Sequence, residues 1–437
     1  LEAMAQVMGG APFLAEQLSR RPGLLESLLT EPDVATLQST EALRGDLDHA
    51  LGLAKDYQDV LDIVRRWNND RRFLIGLHIL SGKLDADAAG PLLSRVAETT
   101  IRTLLPHVEA EFARQHGMPP GPDGGISGGG ISSGETGGIA VVALGKLGGG
   151  EMTIGSDLDL VFLYDAPIDA QSDGPRPLPA VQYYARLGQR LISALTAQTG
   201  EGDVYPVDMR LRPSGKTGPI ASSLESFAKY YAESAWSWEF MALTRARPIA
   251  GPGTLLDKAA ETIRHILTQP RDPATLLADV ASMRARIAKE KPGDILWDVK
   301  MGRGGLVDVE FIAQYLQLRH AADDPSVLDQ NTTAAFEKLI GAGHLAPENG
   351  AALIAATRLW RRLQGLLRIA VGDATFDEEA ATRDQKDALL RAGDAVDFDA
   401  LKQNILATAG AAQACYRALI DDPAAALPDK SPQEKTR

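Results

Sequence analysis

The chain has 437 residues, 45 of them basic and 58 acidic, for a net charge of -13. Such a length fills the cores of roughly two to four domains, and the negative balance disfavours the broad electrostatic attraction that a nucleic-acid backbone requires. The single cysteine, Cys415, excludes a disulfide framework and a thiolate zinc site.

No apolar run approaches the roughly 20 residues of a membrane span, and the opening "LEAMAQVMGGAPF" lacks the basic flank and apolar block of a signal peptide. A cytoplasmic protein with neither membrane nor nucleic acid as partner is expected. The chain begins at Leu1 rather than Met, so it reads as a fragment of a longer polypeptide. Residues 1–116 form a helical lobe by periodicity: Val60, Ile63, Val64 and Trp67, then Phe73, Leu74, Leu77 and Leu80, fall on one helical face. The next segment, 117–138, is "GMPPGPDGGISGGGISSGETGG", too rich in Gly, Pro and Ser to pack a core, and is read as a linker or long loop.

From 139 to 252 the pattern turns α/β. "IAVVAL" and "DLDLVFLY" are continuous apolar runs of strand length, and "DVYPVDMRLRP" reads as a third strand with strict alternation. Between the second and third lies a helix, "AVQYYARLGQRLISALTAQ", with Tyr184, Leu187, Leu191 and Leu195 on one side, which implies a mixed sheet covered on at least one face. Ser222 and Glu225 have capping-box spacing and are expected to start the next helix. Residues 253–422 return to helical stripes, Val309, Ile312, Ala313 and Leu316 in one and Leu359, Leu363, Leu366 and Leu367 in another. A polar tail, 423–437, is expected to be disordered.

Familiar nucleotide motifs fail on the central segment. A phosphate-binding P-loop ending at Gly145-Lys146 would need glycine where Ala140 stands and Ser or Thr where Leu147 stands; the second Gly-Lys, at 215–216, has Arg210 in place of its first glycine. Gly145, Gly148 and Gly149 do not fit the dinucleotide fingerprint either.

What survives is acidic. Asp157 and Asp159 share one strand face while Leu158 and Leu160 point to the core, and Asp208, Arg210 and Arg212 share a face of the third strand. If those strands are neighbours, three carboxylates converge at one sheet edge, and like charges so placed need a cation to stay ionised together. Hard oxygen ligands with room for substrate phosphates describe Mg²⁺. Gly155 and Ser156, just before the first aspartate, offer backbone N–H groups and a hydroxyl to a phosphate. Arg210 and Arg212 suit pyrophosphate or a structural ion pair, and Lys300 and Arg303, in "KMGRGG", suit phosphate or a simple turn. Glu310 is expected to pair with a base, and Trp236 and Trp238 are read as core rather than as an adenine platform.

"LGKLGGGEMTIGSDLDLVFLYD", "VDMRLRPSGKTGPIASSLESFAKYY", "AWSWEFMALTRARPIAG" and "DVKMGRGGLVDVEFIAQYLQLRH" resemble the motifs of glutamine synthetase adenylyltransferase, the bifunctional adenylyl-transferring and adenylyl-removing enzyme of bacterial nitrogen control. "LRPSGKTG" followed by "WEFMALTRAR" is more similar to its C-terminal, adenylyl-transferring half. The resemblance implies a mostly helical α+β chain: a polymerase-beta-like nucleotidyltransferase domain with a mixed sheet, flanked by an N-terminal helical lobe and a C-terminal helical bundle. It implies transfer of AMP from ATP to a tyrosine of glutamine synthetase, with glutamine and the PII signalling protein as regulators. In a two-metal arrangement Asp157, Asp159 and Asp208 would hold one Mg²⁺, and Asp157 and Asp159 the other, with Asp208 also the candidate base. Phosphorolytic removal of AMP, or nucleotide sensing without catalysis, are the other readings.

Overall fold

The computed structural model describes residues 7, 10–21, 23–24, 39–119, 121, 137–199, 201–291, 293–372 and 376–428. Most of the inferred linker, 120 and 122–136, and the end of the tail, 429–437, lie outside the described residues.

The first segment holds α1 (Pro12–Arg20), α2 (Thr40–Leu51), α3 (Tyr57–Leu80) and α4 (Ala86–His116). Asp56 and Asp85 cap α3 and α4, each carboxylate accepting from backbone N–H groups of the first turn. The apolar stripe expected in α3 is buried, save that Ile63 is only partly covered. α4 runs through Pro91 and Pro106 without ending and packs along α3.

The sheet comprises β1 (Ile139–Ala143), β2 (Leu158–Tyr164), β3 (Val207–Asp208), β4 (Ala221–Ser223) and β5 (Arg247–Ala250). β1 lies between β2 and β5, antiparallel to both, whereas β3 and β4 run parallel to β2. The sheet is therefore mixed, and β1 is buried along its whole length, which is why its sequence is apolar without alternation. Helix α5 (Ala180–Thr196) buries Tyr184, Leu187, Leu191 and Leu195, as its periodicity implies, and packs against α4, β3 and β4.

Two expectations need correction here. The third strand is only two residues long. After Asp208 the chain turns, with the Arg210 N–H donating to Asp208 Oδ1 at 2.8 Å and the Gly215 N–H to the Arg212 carbonyl at 2.8 Å. An aspartate that bonds its own backbone two residues on favours a turn over a ladder, and β4 takes up β2 farther along, at Phe162–Tyr164. The helix that follows, α6 (Leu224–Glu233), is capped by Ser223, whose side chain accepts from the Ser226 N–H, and not by Ser222, which is buried in β4.

After α7 (Ser237–Leu243) and β5 come α8 (Gly253–Leu267), α9 (Pro273–Glu290), α10 (Leu306–His320), α11 (Thr332–Gly341), α12 (Pro347–Ala370), α13 (Arg383–Ala392) and α14 (Phe398–Tyr416). Both stripes read from the sequence are buried, one in α10 and the other in α12. α12 touches α10, α11, α13 and α14 and reaches back to α1, α3 and α4, so it ties the C-terminal helices to the N-terminal ones. The apolar core is continuous from Val7 to Ile420 and does not break at 116 or 252. The expected tail opens on one helical turn, Asp422–Ala425. Among the described residues no helix is long and apolar enough to cross a membrane.

Candidate functional site

The segment between β1 and β2, residues 144–157, makes the floor of a cleft of about 340 Å³. Asp157 and Asp159 line it together with Gly145, Lys146, Gly155, Ser156, Trp238, Arg245, Lys300, Glu310 and Arg368. Leu158 and Leu160 are buried while Asp159 between them is only partly covered, and from Leu160 onward the strand is buried on both faces. The β2–β3 ladder pairs Asp159 with Asp208 in direct register, which sets the third acid beside the second, while Asp208 itself is not among the residues that line the cleft.

The electrostatics follow from that crowding. Burial, reinforced by the charges of Asp157 and Asp208, pushes the Asp159 carboxyl up to about 6. Burial works against the Asp208 charge too, but hydrogen bonds from the Arg210 side chain and backbone outweigh it and hold that carboxyl below its usual range. Arg210 Nε donates to Asp208 Oδ2 at 2.6 Å. Among the described residues no three Asp, Glu, His or Cys side chains already stand close enough to hold a metal ion. The Asp208 carboxylate is closed off by an arginine that is itself mostly exposed.

The remaining expected residues separate. Ser156 Oγ accepts from the Thr153 N–H at 2.9 Å and lies 3.0 Å from Thr153 Oγ1, shaping the loop before Asp157, and Gly155 beside it is exposed on the cleft. Arg212 donates to the carbonyls of Met209, Lys216 and Gly218 and so binds the loop after β3 together. Lys300 lines the cleft. Arg303 does not: it pairs with Asp308 and Asp421 and lies over the Tyr416 ring, joining α10 to the end of the helical bundle.

Trp236 and Trp238 are not core. They are 59% and 39% exposed, because α7 is two turns long and spends its buried face on Met241 and Leu243. Glu239 is buried, accepting from the Tyr230 hydroxyl at 2.7 Å and the Trp236 N–H at 2.8 Å.

Sequence reasoning missed part of the site. Lys146 follows a motif set aside because it fits no P-loop, yet its side chain lines the cleft. Arg368 and Gln364, on α12, had no local signal; only tertiary packing brings them here. Arg245 is buried and pairs with both Glu151 and Glu310, which agrees with the expected base partner of Glu310. Burial opposes the Arg245 charge, but the two carboxylates outweigh it and keep it charged. Glu151 also pairs with Arg361 and accepts from the Thr332 N–H at 2.7 Å. This network fastens the floor to α10, α11 and α12. From the other side, Arg72 of α3 donates to the carbonyls of Ile154 and Val204 and stacks on Tyr205, fixing the chain just before Gly155 and before β3.

Residues 1–262 match the family model described as glutamate-ammonia ligase adenylyltransferase, and residues 277–377 match one described as GlnD PII-uridylyltransferase. The chain is similar to the bifunctional glutamine synthetase adenylyltransferase/adenylyl-removing enzyme of Bradyrhizobium diazoefficiens, 41% identical over 419 residues, covering 96% of this chain and 40% of the relative. Against the enzyme of the same name from Rhodopseudomonas palustris strain TIE-1 the identity is 40% over 421 residues, and from Xanthobacter autotrophicus 41% over 420 residues; each comparison covers 96% of this chain and 41% of the relative. The chain thus spans about two-fifths of the length of the curated relatives it matches. With a match over its first 262 residues, the chain belongs to the glutamate-ammonia ligase adenylyltransferase family.

Proposed function

We propose that the chain is a nucleotidyltransferase that moves AMP from ATP to a tyrosine hydroxyl of glutamine synthetase. In that reaction the tyrosine oxygen bonds to the α-phosphorus, the bond from that phosphorus to the bridging oxygen breaks, pyrophosphate leaves and the hydroxyl proton goes to a base. The observation that carries the reading is the register of Asp159 with Asp208, with Asp159 and Asp157 lining a cleft that also holds Lys146, Lys300 and Arg368. The donor chemistry fits a hard cation: three carboxylates on or just before neighbouring strands, one of them raised by burial and then by the charges of the other two. Asp157, Asp159 and Asp208 would hold Mg²⁺, which when bound supplies charge neutralisation and polarises the attacking oxygen.

The chain's own residues do the rest. Arg210 keeps Asp208 ionised, as a proton acceptor must be, while lowering its basicity. Gly155 leaves open backbone for a phosphate, the nearest atom to a Cβ there being Arg368 Cδ at 3.9 Å. Lys300, which lines the cleft, and Arg210, once it leaves Asp208, are proposed to meet the phosphates. Trp238, half exposed at the cleft, offers a ring face to a base. Glutamine and the PII signalling protein are the proposed regulators, on family membership alone.

The relatives' name covers removal of AMP as well as its transfer, and the same acids would serve phosphorolysis, in which a phosphate oxygen bonds to the adenylyl phosphorus to make ADP while the bond from that phosphorus to the tyrosine oxygen breaks and the tyrosine takes up a proton. The test is incubation with unmodified glutamine synthetase, Mg²⁺ and α-labelled ATP, beside a second arm with label on adenylylated synthetase and added phosphate. Label gained by the synthetase supports transfer. Label released as ADP with none gained supports removal, and binding of ATP with neither reaction leaves a nucleotide sensor.

A further inference from the structure

Lys146 stands in the one-turn helix Gly145–Gly148 directly after β1. Its Nζ lies 2.6 Å from Gln364 Oε1 on α12 and 3.5 Å from Thr153 Oγ1. Both neighbours are neutral, and among the described residues no carboxylate forms an ion pair with Lys146. Its charged surroundings are three cations, Lys300, Arg368 and Arg245, and one carboxylate, Glu310, which is itself paired with Arg245. Burial, and next the charge of Lys300, pull the Lys146 ammonium down to about 8. A cluster of ammonium and guanidinium groups, one of them held by a neutral amide, is arranged to receive an anion rather than to satisfy itself.

The cleft is therefore polar in two senses. Asp157 and Asp159 bring it negative charge; Lys146, with Lys300 and Arg368 near it, brings the opposite sign, beside the mutually paired Arg245 and Glu310. A nucleoside triphosphate has its α-phosphate as the electrophile and its β and γ phosphates as the leaving polyanion, so the cationic pole suits the latter. Resting on the proposed function, we infer that Lys146 contacts the departing pyrophosphate portion of ATP and that Gln364 is a positioning residue, holding Lys146 toward the cleft. The Gln364 amide reaches the ammonium from a helix 218 positions away in sequence, so the C-terminal helices set the placement of a cation on the glycine loop. A mere buttress would need the same hydrogen bond but would have no reason to distinguish ATP from AMP.

The experiment measures equilibrium binding of ATP and of AMP to the full chain, with unsubstituted protein, Lys146→Met, Lys146→Arg and Gln364→Leu. Lys146→Met is expected to weaken ATP at least tenfold and AMP less than twofold, Lys146→Arg to keep most of the preference for ATP, and Gln364→Leu to lose part of it. Equal weakening of both nucleotides, or unchanged ATP affinity in folded Lys146→Met, overturns the inference while leaving the proposed function standing. Failure of the unsubstituted chain to bind ATP overturns both. Should Lys146→Met not fold, protection decides: inorganic pyrophosphate, but not sulfate, is expected to slow chemical modification of Lys146 in the unsubstituted chain, and equal rates with and without it overturn the inference.

Discussion

Gly145 and Asp159 occupy the same space: a Cβ placed on residue 145 would lie 2.0 Å from Asp159 Oδ2, and the glycine backbone is left-handed at φ 52°. Two separate physical reasons thus exclude a side chain there. Gly145→Ala should displace the Asp159 carboxylate or the loop under it. AMP transfer is expected to fall on the order of 100-fold, since a misplacement of about 1 Å costs that much, with the circular dichroism spectrum unchanged. Full activity in the variant would show that the carboxylate need not stand where it does.

The fully buried pair Arg284 and Asp308 joins α9 to the start of α10, and Asp308 also pairs with Arg303. Removing Arg284 leaves the fully buried Asp308 charge with only the partly exposed Arg303 and the Gly304 N–H to compensate it. Arg284→Met should lower unfolding free energy by roughly 3–5 kcal/mol, measured by urea denaturation. The double variant with Asp308→Leu should recover part of that loss; a double variant as unstable as the single one would contradict the account.

Glu109 of α4 points at the start of β1 with Oε1 buried and without a hydrogen-bond partner. Burial pushes its carboxyl up to about 7, only partly offset by the Ile139 backbone. The sign follows from linkage. Below the ordinary value of 4.5 both folded and unfolded chains carry the proton, whereas between there and about 7 only the folded chain keeps it. Stability therefore falls as pH rises through this window and levels off above it. Glu109→Gln should flatten the slope between pH 5 and 8 and stabilise the protein at pH 8 by on the order of 1–2 kcal/mol. An unaltered slope would mean that Glu109 ionises normally in the folded chain.

The cap of α6 separates two readings of one serine pair. Ser223→Ala should cost about 1 kcal/mol through the lost bond to the Ser226 N–H. If Ser222→Ala cost the cap instead, by hydrogen exchange at the helix start, the assignment would be wrong.

Periodicity made the long helices and the two central strands legible, because α5 buries one stripe, the stripes of α3, α10 and α12 lie within faces that are buried more widely still, and β1 and β2 are covered on both sides. The alternation from Asp203 to Pro213 misled, since one hydrogen bond from the Arg210 backbone to Asp208 outcompetes a ladder. The acids could be read early because adjacent polar and apolar positions in β2 have only one sensible orientation. Their surroundings could not: Arg368 and Gln364 arrive from α12, and Arg210 folds back on Asp208 instead of leaving it open. The tryptophans were misplaced for a related reason, as aromatic residues signal burial only when their helix has a face to bury them against.

The account rests on Asp157, Asp159 and Asp208 jointly accepting a divalent cation once Arg210 releases the last of them. The direct measurement is Mn²⁺ binding by electron paramagnetic resonance, in the presence of ATP, to the unsubstituted chain and to Asp157→Asn, Asp159→Asn and Asp208→Asn. Each substitution is expected to weaken binding at least tenfold in a chain that still folds. Undiminished Mn²⁺ affinity in the Asp159→Asn and Asp208→Asn proteins would contradict it.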